Sequence, residues 1–425
     1  MSDQPIDRAV TRAVDAAWRI EWPQLVAVLT RLVGDITTAE DIAQDAHLAA
    51  LEQWPRDGVP SNTGAWLMVT AKRRAVDRIR RDATLARKLA LLEGELLADL
   101  DSAPGDPASV VDGEIRDDML RMLFTTCHPV LSRQSQVALT LRLIGGLTTE
   151  EIARAYVTAT PTIVRRISRA KRTIRDAGVP YEVPSGGELA ERLDAVLEVV
   201  YLVFNEGYAV TAGDGWMRAE LCAEALRLVR ILCGLMPAEP EVFGLAALVE
   251  LQASRLRSRH DADGRLVLLR DQDRTRWDRL LIRRGYAALG RAHTLAHERG
   301  SAPGRYALQA AIAAVHAMAA TSDDTDWRRI AGLYAILAAR FPSPIVELNR
   351  AVAVAEVHGP AAGLDLVDAV VDAGSLDEYH LLHAVRGDLL ARLGQQGEAR
   401  KEFLRAAELT ANAAERSLML SRAGD

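Results

Sequence analysis

Two short clusters of basic residues are the most chemically distinctive feature of this sequence. Six basic residues accompany the single acid Asp77 between Lys72 and Arg81, and six more lie between Arg165 and Arg175 without any acid. The chain as a whole carries a formal net charge of −6. Because clustered arginines and lysines neutralise phosphate groups, the sequence predicts two separate contacts with DNA on an otherwise acidic protein.

The second basic cluster lies in a helix-turn-helix pattern. Thr148 and Glu151 have the spacing of a capping box at the start of the first helix, and Pro161 suits the first turn of the second helix. In that second helix we expect one buried apolar stripe and one outward basic stripe. The apolar stripe comprises Ile163, Ile167, Ala170 and Ile174, and the basic stripe comprises Arg165, Arg169 and Arg172.

This second helix has the features of a DNA-recognition helix, which places its N-terminal residues at base edges in the major groove. The turn departs from many such motifs, since Val157 stands where glycine is common and Ala159 stands where serine or threonine often caps the helix. An amphipathic helix with a solvated arginine face is the alternative interpretation. The candidates for reading bases are Thr160, Thr162, Arg165 and Arg166.

The first basic cluster belongs to a helix predicted over residues 65–81, which combines arginines with a tryptophan. Its buried stripe is predicted to comprise Ala65, Met68, Val69, Val76 and Ile79. One exposed face would hold Trp66, Thr70, Arg73 and Arg80, and another would hold Arg74, Arg78 and Arg81. An aromatic side chain beside arginines suits unpaired DNA, because stacking a base contributes about 1–3 kcal/mol and arginines neutralise phosphate. A place for Trp66 in the core is the alternative.

An acidic helical face precedes this cluster. Asp41, Asp45, Leu48 and Glu52 recur at helical spacing on one face, with Gln44 at its edge. An acidic and partly apolar strip of this kind suits a basic surface on a partner protein. An ordinary surface helix could carry the same residues, so both interpretations stay open on this pattern alone.

These residues must be positioned by a mainly helical chain. The 425 residues are 49% hydrophobic, 26% charged and only 5% aromatic. Such a composition, rich in alanine, leucine and arginine, favours an all-α fold, and at about 150 residues per domain we expect about three units. The longest apolar run is shorter than the roughly 18 residues that span a bilayer. With no signal-peptide pattern and few cysteines, the sequence predicts a cytoplasmic protein with no membrane contact.

Changes in composition divide the chain. Helical patterns continue to about Arg81, resume at Ile115 and stop at residues 178–180, where Gly-Val-Pro occurs. Beyond Glu188, amphipathic segments alternate with turns that contain proline or glycine. The predicted boundaries are residues 1–85 for a first domain, 86–114 for an acidic linker, 115–180 for the helix-turn-helix domain and 188–425 for a helical array.

The end of the chain contains a helical repeat. Residues with the offsets of a tetratricopeptide (TPR) helix pair are Gly387, Leu390, Gly394, Ala399, Phe403 and Ala406. The segment from Pro344 to Val371 is a more degenerate copy. One unit cannot bury its own apolar face, so several must stack, and stacked repeats present a concave surface to a protein or peptide. The array is therefore predicted to serve interaction.

No catalytic constellation is found in the sequence, so we predict neither an enzyme nor a cofactor. His293 and His297 have the spacing of a helical metal pair, but they lack a zincin-type glutamate and a third ligand, so exposed histidines are expected. Cys222 and Cys233 do not form a CxxC motif, which makes zinc binding or redox sensing an unsupported interpretation. We therefore predict no metal site.

Residues 39–54 and 65–81, followed by the helix-turn-helix, resemble the two conserved regions of extracytoplasmic-function (ECF) RNA polymerase sigma factors. The resemblance covers most of residues 10–180 and has two motifs in the expected order. It implies an alternative sigma factor with region 2 in residues 1–85 and region 4 in residues 115–180. Such a factor directs core RNA polymerase to promoter DNA and initiates transcription.

The resemblance also implies roles for three sets of residues. Core polymerase would be bound by Asp41, Ile42, Gln44, Asp45, Leu48 and Glu52. The minus-ten element would be bound by Asn62, Trp66, Arg73, Arg74, Arg78, Arg80 and Arg81, with a flipped base received by the loop from Pro55 to Gly64. The minus-thirty-five element would be bound by Thr160, Thr162, Arg165, Arg166, Arg169 and Lys171. The linker would cross the polymerase interior, although its composition equally suits a disordered spacer.

Three segments of the array resemble those of the sigma-factor subgroup that carries such an extension. They are residues 204–208, 271–278 and 325–329. The extension would regulate the promoter-binding module or bind a protein partner, and an intramolecular contact with that module is a further alternative. The polar residues Asp271, Asp273, Arg274, Arg276 and Asp278 would form such a latch or, as we favour, a loop that orders Trp277.

Two other functions stay open on the sequence alone. A helix-turn-helix transcription regulator with a TPR-like sensor domain would explain residues 147–175 and the array, but it leaves the first helices without a role. A scaffold of stacked helices that does not bind DNA would leave both basic stripes unexplained.

Overall fold

The computed structural model describes residues 4–81, 107–156, 158–209, 215–259, 261, 266–374, 376–410 and 412–424. Over these residues the chain is built from α-helices and short 3₁₀ turns, with no β-strand, so the predicted all-α fold is confirmed. Contacts divide the chain into two compact units, Met1–Leu202 and Val203–Asp425. Within the described ranges, no helix combines the length and the apolar character needed to cross a membrane.

The first unit contains seven complete helices and the first part of an eighth among its described residues. Three of them form an N-terminal group: α1 (Gln4–Val33), α2 (Ile36–Asp57) and α3 (Thr63–Arg81). The next four helices are α4 (Pro107–Thr126), α5 (Arg133–Leu143), α6 (Thr149–Ala155) and α7 (Thr160–Asp176). The eighth helix, α8 (Gly186–Ala209), begins in the first unit and ends in the second.

The N-terminal group packs around two tryptophans. Trp22 of α1 and Trp54 of α2 are each 1% exposed. Alanines at helical spacing on α2 let the helices approach closely, and the buried set on this helix includes Ala39, Ala43, Ala46 and Ala50. Asp35 caps α2 by accepting a hydrogen bond from the Thr38 backbone N–H at 2.8 Å.

The linker predicted for residues 86–114 is only partly within the described residues. Residues 82–106 lie outside them, and α4 already begins at Pro107 rather than near Ile115. Proline suits the first turn of a helix because its missing N–H has no partner there anyway. Pro107 therefore marks a helix start, where the sequence pattern suggested only a turn.

Helix α8 connects the two units. Its first part belongs to the first unit, since Arg192 donates a hydrogen bond to the Phe124 carbonyl at 2.8 Å and Glu198 pairs with Arg133. The compact units divide at Leu202, whereas the array was predicted to begin at residue 188. A helix start is visible in the sequence, but the partner that a helix packs against is not.

The second unit continues as a series of helices. They are the end of α8 followed by α9 (Gly215–Leu235), α10 (Pro240–Ala253), α11 (Arg279–Glu298), α12 (Arg305–Met318), α13 (Trp327–Arg340), α14 (Pro344–His358), α15 (Pro360–Asp372), α16 (His380–Arg392), α17 (Gln396–Leu409) and α18 (Ala413–Gly424). Short 3₁₀ turns at Leu256–Ser258, Leu269–Asp271 and Arg274–Arg276 lie between α10 and α11.

The last helices pack in pairs over the segments where the sequence predicts TPR-like repeats. In the α16–α17 pair, a Cβ atom added to Gly387 would lie 2.9 Å from the Phe403 ring, so only glycine allows this approach. Gly394 ends the first helix of that pair with a φ of +80°. In the α14–α15 pair, Gly363 makes the same kind of close contact with Ala355. Small residues thus set the spacing in both pairs.

Candidate nucleic-acid interface

The helix-turn-helix is formed by α6 and α7. Thr148 and Glu151 make a complete capping box at the start of α6, and Pro161 lies in the first turn of α7, both as predicted. Ala159 precedes α7 without a side-chain cap, and Val157 lies outside the described residues. The predicted apolar stripe of α7 is buried, and it comprises Ile163, Ile167, Ala170 and Ile174.

The outward face of α7 is basic, as the stripe of arginines predicts. Arg165, Arg169 and Arg172 are all exposed, and the candidate base-reading residues Thr160, Thr162 and Arg166 are partly exposed. Lys171 differs from them, because its side chain is only 16% exposed and forms an ion pair with Glu40 of α2. In this conformation Lys171 is therefore engaged inside the protein.

Glu40 is the centre of a buried charged cluster that the sequence did not reveal. Its side chain is 4% exposed and accepts a hydrogen bond from Arg142 Nε of α5 at 3.0 Å, in addition to its ion pair with Lys171. The Arg142 guanidinium lies 4.6 Å from the Trp22 ring centroid, and Trp22 Nε1 donates to the Arg142 carbonyl at 3.0 Å. A buried carboxylate needs such partners, because desolvating an unpaired charge is very costly. We call Glu40, Arg142 and Lys171 the Glu40 cluster.

Further contacts join the same two groups of helices. Arg31 Nε of α1 lies 2.9 Å from Asp118 Oδ2 of α4, and the Asp118 side chain is fully buried. The hydroxyl of Tyr181 lies 2.9 Å from the Ala27 carbonyl and 3.0 Å from the Asp118 carbonyl, so acceptors on both helices lie within hydrogen-bond distance of its one O–H. Burial raises the pKa of Tyr181 well above its usual range, so the hydroxyl keeps its proton. Helices α1–α3 and α4–α7 are thus packed together.

The buried stripe of α3 differs from the prediction. Leu67, Ala71, Ala75 and Ile79 are buried, whereas Ala65 and Val69 are exposed and Met68 and Val76 are half-buried. Of the predicted stripe only Ile79 is buried, so that expectation was wrong. The prediction favoured the larger side chains, but two alanines fill the buried positions, where a small Cβ permits close helix packing.

The basic face of α3 lies largely at the surface, as expected. Arg73, Arg78 and Arg80 are exposed, and the side chain of Arg81 lies outside the described part of the structure. Arg74 is half-buried and lies 3.6 Å from Asp45 of α2. The acidic strip and the basic helix are therefore neighbours.

Asn62 and Trp66 lie at the start of α3. Asn62 caps the helix, since its Oδ1 accepts from the Ala65 N–H at 2.9 Å. Trp66 is half-buried and meets Trp54 edge-on, with ring centroids 5.5 Å apart and an interplanar angle of 74°. Because α2 continues to Asp57, the loop before α3 covers residues 58–62, which is shorter than the predicted loop from Pro55 to Gly64.

The acidic strip of α2 is exposed, with one correction. Asp41, Gln44, Asp45 and Glu52 face outward, and Leu48 is 55% exposed among them. Ile42, which was assigned to the same surface, is 5% exposed and packs in the core. It follows Asp41 directly and lies about 100° farther around the helix, on the side that faces the core, so it stabilises the fold and presents no contact surface.

The cysteine and histidine candidates lie on two helices of the second unit, Cys222 and Cys233 on α9 and His293 and His297 on α11. His293 and His297 are exposed, as expected. Burial raises the pKa of both Cys222 and Cys233 to about 12, so each stays a protonated thiol at neutral pH. Across the described ranges, no three side chains of histidine, cysteine, aspartate or glutamate are arranged to hold a metal ion.

Comparison with known proteins assigns two parts of the chain to described families. Residues 21–84 match the family described as Sigma-70 region 2, and residues 192–293 match a family of unknown function, DUF6596. The chain is 44% identical over 403 residues to "Uncharacterized protein R00370" of Rhizobium meliloti (strain 1021), which covers 95% of this chain and 93% of that protein.

Two relatives have more informative names. The chain is 30% identical over 198 residues to "Probable ECF RNA polymerase sigma factor SigI" of Mycobacterium tuberculosis (strain CDC 1551 / Oshkosh), covering 44% of this chain and 67% of that protein. It is 29% identical over 159 residues to "ECF RNA polymerase sigma factor SigK" of Mycobacterium bovis (strain BCG / Pasteur 1173P2), covering 36% of this chain and 79% of that protein. The chain belongs to the ECF family of RNA polymerase sigma factors, and it carries a C-terminal helical extension.

Proposed function

We propose that this sigma factor uses three surfaces of its first unit in promoter-dependent initiation. The acidic strip of α2 binds core RNA polymerase, α3 binds the melted minus-ten element and α7 reads the minus-thirty-five element. The observation that carries the proposal is the exposure of one acidic strip and two basic helical faces on a single compact unit. Charge of opposite sign on separate helices suits a protein partner and DNA at the same time.

The structure of α3 supports a role in holding unpaired DNA. Trp66 is held edge-on by Trp54 and stays partly exposed, so its ring is oriented before a base arrives. The exposed arginines of α3 follow along the same helix, where they can neutralise the strand's phosphates. Asn62 fixes the start of this helix, so its proposed contact with DNA would add to a capping role.

The Glu40 cluster adds a constraint to this proposal. The Lys171 side chain is only 16% exposed and its ammonium group is paired with the buried Glu40, so this packing does not present Lys171 to promoter DNA. We therefore assign the observed packing of α1–α3 against α4–α7 to a closed form of the free factor. Binding of core polymerase separates the two groups of helices and releases Lys171.

Run-off transcription with purified core enzyme tests the proposed function. The wild-type chain should direct initiation from a cognate promoter, and Asp41→Lys should abolish both initiation and retention on immobilised core enzyme. Asp41 is exposed on the acidic strip, so reversal of its charge should change the contact surface without disturbing the core. Asp45 is less suitable because it also pairs with Arg74.

A matched control is Glu191→Lys, which makes the same charge change at an exposed position of α8 outside the proposed surfaces. It should initiate like the wild type. Loss of activity in both variants, or activity of Asp41→Lys at the wild-type level, would contradict the assignment of the α2 surface.

We also infer that the second unit regulates the first or binds a protein partner. Its paired helices α14–α15 and α16–α17 have the close, glycine-mediated packing of repeats that display a binding surface. Removal of residues 203–425, which leaves the α8 segment of the first unit in place, should change the run-off yield in the same assay.

A further inference from the structure

Three arginines surround two aromatic rings in the second unit. The Cζ atoms of Arg255 and Arg259 lie 6.0 Å and 3.9 Å from the ring centroid of Tyr208. The Cζ atoms of Arg255 and Arg274 lie 5.9 Å and 5.3 Å from the ring centroid of Trp277. Arg255 contacts both rings, so the three guanidinium groups form one continuous cluster, which we call the arginine cluster.

The arginine cluster has neutral hydrogen-bond acceptors. Arg274 donates to the carbonyls of His316 at 2.8 Å and Ala319 at 3.1 Å, and to Thr325 Oγ1 at 3.0 Å. Arg255 donates to the Tyr208 hydroxyl at 2.9 Å and also to Gln252, and Arg259 donates to the Tyr208 carbonyl. In the described part of the chain, no carboxylate forms an ion pair with any of these three arginines.

Three like charges at this spacing repel one another, and partial burial strengthens the repulsion. Arg274 is 6% exposed, and its burial together with nearby Arg255 lowers its pKa. Burial and then Arg255 and Arg274 lower the pKa of His316 to about 4, so this histidine is neutral at pH 7 and adds no further positive charge. Asp324 near Arg274 and Glu415 near Arg259 offset part of this charge without pairing directly with these arginines, so the three guanidinium groups still outnumber these two carboxylates.

Buried polar atoms in the same region also lack partners among the described residues. They include Nε of Arg274, Nε1 of Trp277 and Nδ1 of His316. Two of these atoms belong to N–H groups that can only donate, and native proteins usually satisfy such groups with protein atoms, water or an ion. Unsatisfied donors beside guanidinium groups that have no directly paired carboxylate are complementary to the oxygens of an anion.

The region of the arginine cluster includes residues from all three segments of the array that resemble the sigma-factor subgroup with an extension. Tyr208 closes residues 204–208, Arg274 and Trp277 belong to residues 271–278, and Thr325 begins residues 325–329. Trp327 adds an edge-on contact with His316, with ring centroids 5.2 Å apart. Segments far apart in the chain thus build one arginine-rich and aromatic site, of which Tyr208, Arg255, Arg259 and His316 stay partly exposed.

We propose that the arginine cluster binds a small oxyanionic ligand, such as a phosphate-bearing or carboxylate-bearing metabolite. Guanidinium groups match the paired oxygens of phosphate and carboxylate, and the unsatisfied N–H groups of Arg274 and Trp277 are further donors in the same region. The extension would then report the presence of this ligand to the promoter-binding unit. The binding claim stands independently of the proposed promoter contacts, because it rests on the second unit alone.

Isothermal titration of the full-length chain in a low-salt chloride buffer tests the proposal, with pyrophosphate as the phosphate probe and malonate as the carboxylate probe. Saturable binding of at least one probe is expected, and the comparison of the two identifies the preferred oxyanion. Arg255→Gln and Arg259→Gln should each weaken that binding by about tenfold or more, the order expected for loss of a charge-assisted contact.

Arg257→Gln is the matched control, because Arg257 lies between the two tested residues, is exposed and carries the same charge. It should bind the probe like the wild type, which separates a built site from attraction to net charge. Absence of saturable binding by the wild type would overturn the proposal, and so would equal weakening by all three variants. The proposed role in initiation does not depend on whether the second unit binds an oxyanion. Each of the two proposals can therefore be contradicted without the other.

Discussion

Glu40 occupies a position where the helical pattern of α2 calls for an apolar residue. Its neighbours on the buried face are Ala39 and Ala43, and its carboxylate is buried only because Arg142 and Lys171 reach it from other helices. The sequence holds one signal of this arrangement, a charged residue in an alanine-rich stripe. The identity of the partners could not be predicted, because they lie more than a hundred residues away in the chain.

We predict that Glu40→Gln destabilises the first unit by about 3 kcal/mol, because two part-buried cations lose their carboxylate while the side chain keeps its size. Urea unfolding followed by circular dichroism measures this change. Glu52→Gln on the exposed face of the same helix is the control, and it should change the free energy of unfolding by less than about 0.5 kcal/mol. Equal stabilities of the two variants would show that the Glu40 cluster contributes nothing.

Other single residues show the same limit of sequence reasoning. The exposed acids of α2 were predicted correctly from their spacing, but Ile42 was placed with them although it is buried. Arg274 was predicted to belong either to a latch or to a loop that orders Trp277, and its Cζ lies 5.3 Å from the Trp277 ring centroid, which fits the loop. In each case the residue type was informative, while its partner depended on the tertiary fold.

Among the elements, α7 was predicted most accurately. Its isoleucines recur at helical spacing and its start is marked by Pro161, so periodicity and capping indicate the same helix. The buried face of α3 was predicted wrongly because alanines, which give a weak hydrophobic signal, occupy it. The start of α4 was placed too late because Pro107 fits both a turn and a first helical turn.

The exposed arginines of α7 lead to a prediction about sequence reading. Arg165 lies near the N-terminal end of the helix, where a recognition helix approaches bases, and Arg172 lies farther along. We expect Arg165→Ala to cost about 1–3 kcal/mol in holoenzyme binding to the cognate promoter and to relax preference at one base pair. Binding to a set of promoters with single-base changes in the minus-thirty-five element measures both effects.

Arg172→Ala is the control in the same assay, because a phosphate contact should weaken binding about equally on every sequence. A loss for Arg165→Ala that is uniform across all promoter variants would contradict its assignment as a base-reading residue.

At the scale of the whole molecule, a net charge of −6 is combined with two short basic helices. The negative charge disfavours binding to DNA by the free chain, and the closed packing of the first unit keeps Lys171 on Glu40. Helical content was predictable from composition. Length suggested about three units where contacts define two, and the closed packing depends on contacts between distant segments. Promoter affinity is therefore expected to arise in the complex with core polymerase.

The most direct test of this central claim is promoter binding measured with and without core enzyme. A fluorescently labelled cognate promoter would be titrated with the purified full-length chain, first alone and then in complex with core polymerase, at one fixed salt concentration. Specific binding should occur in the complex and be weaker by at least about tenfold with the free chain. Equally tight and specific binding by the free chain, without initiation when core enzyme is added, would contradict the account.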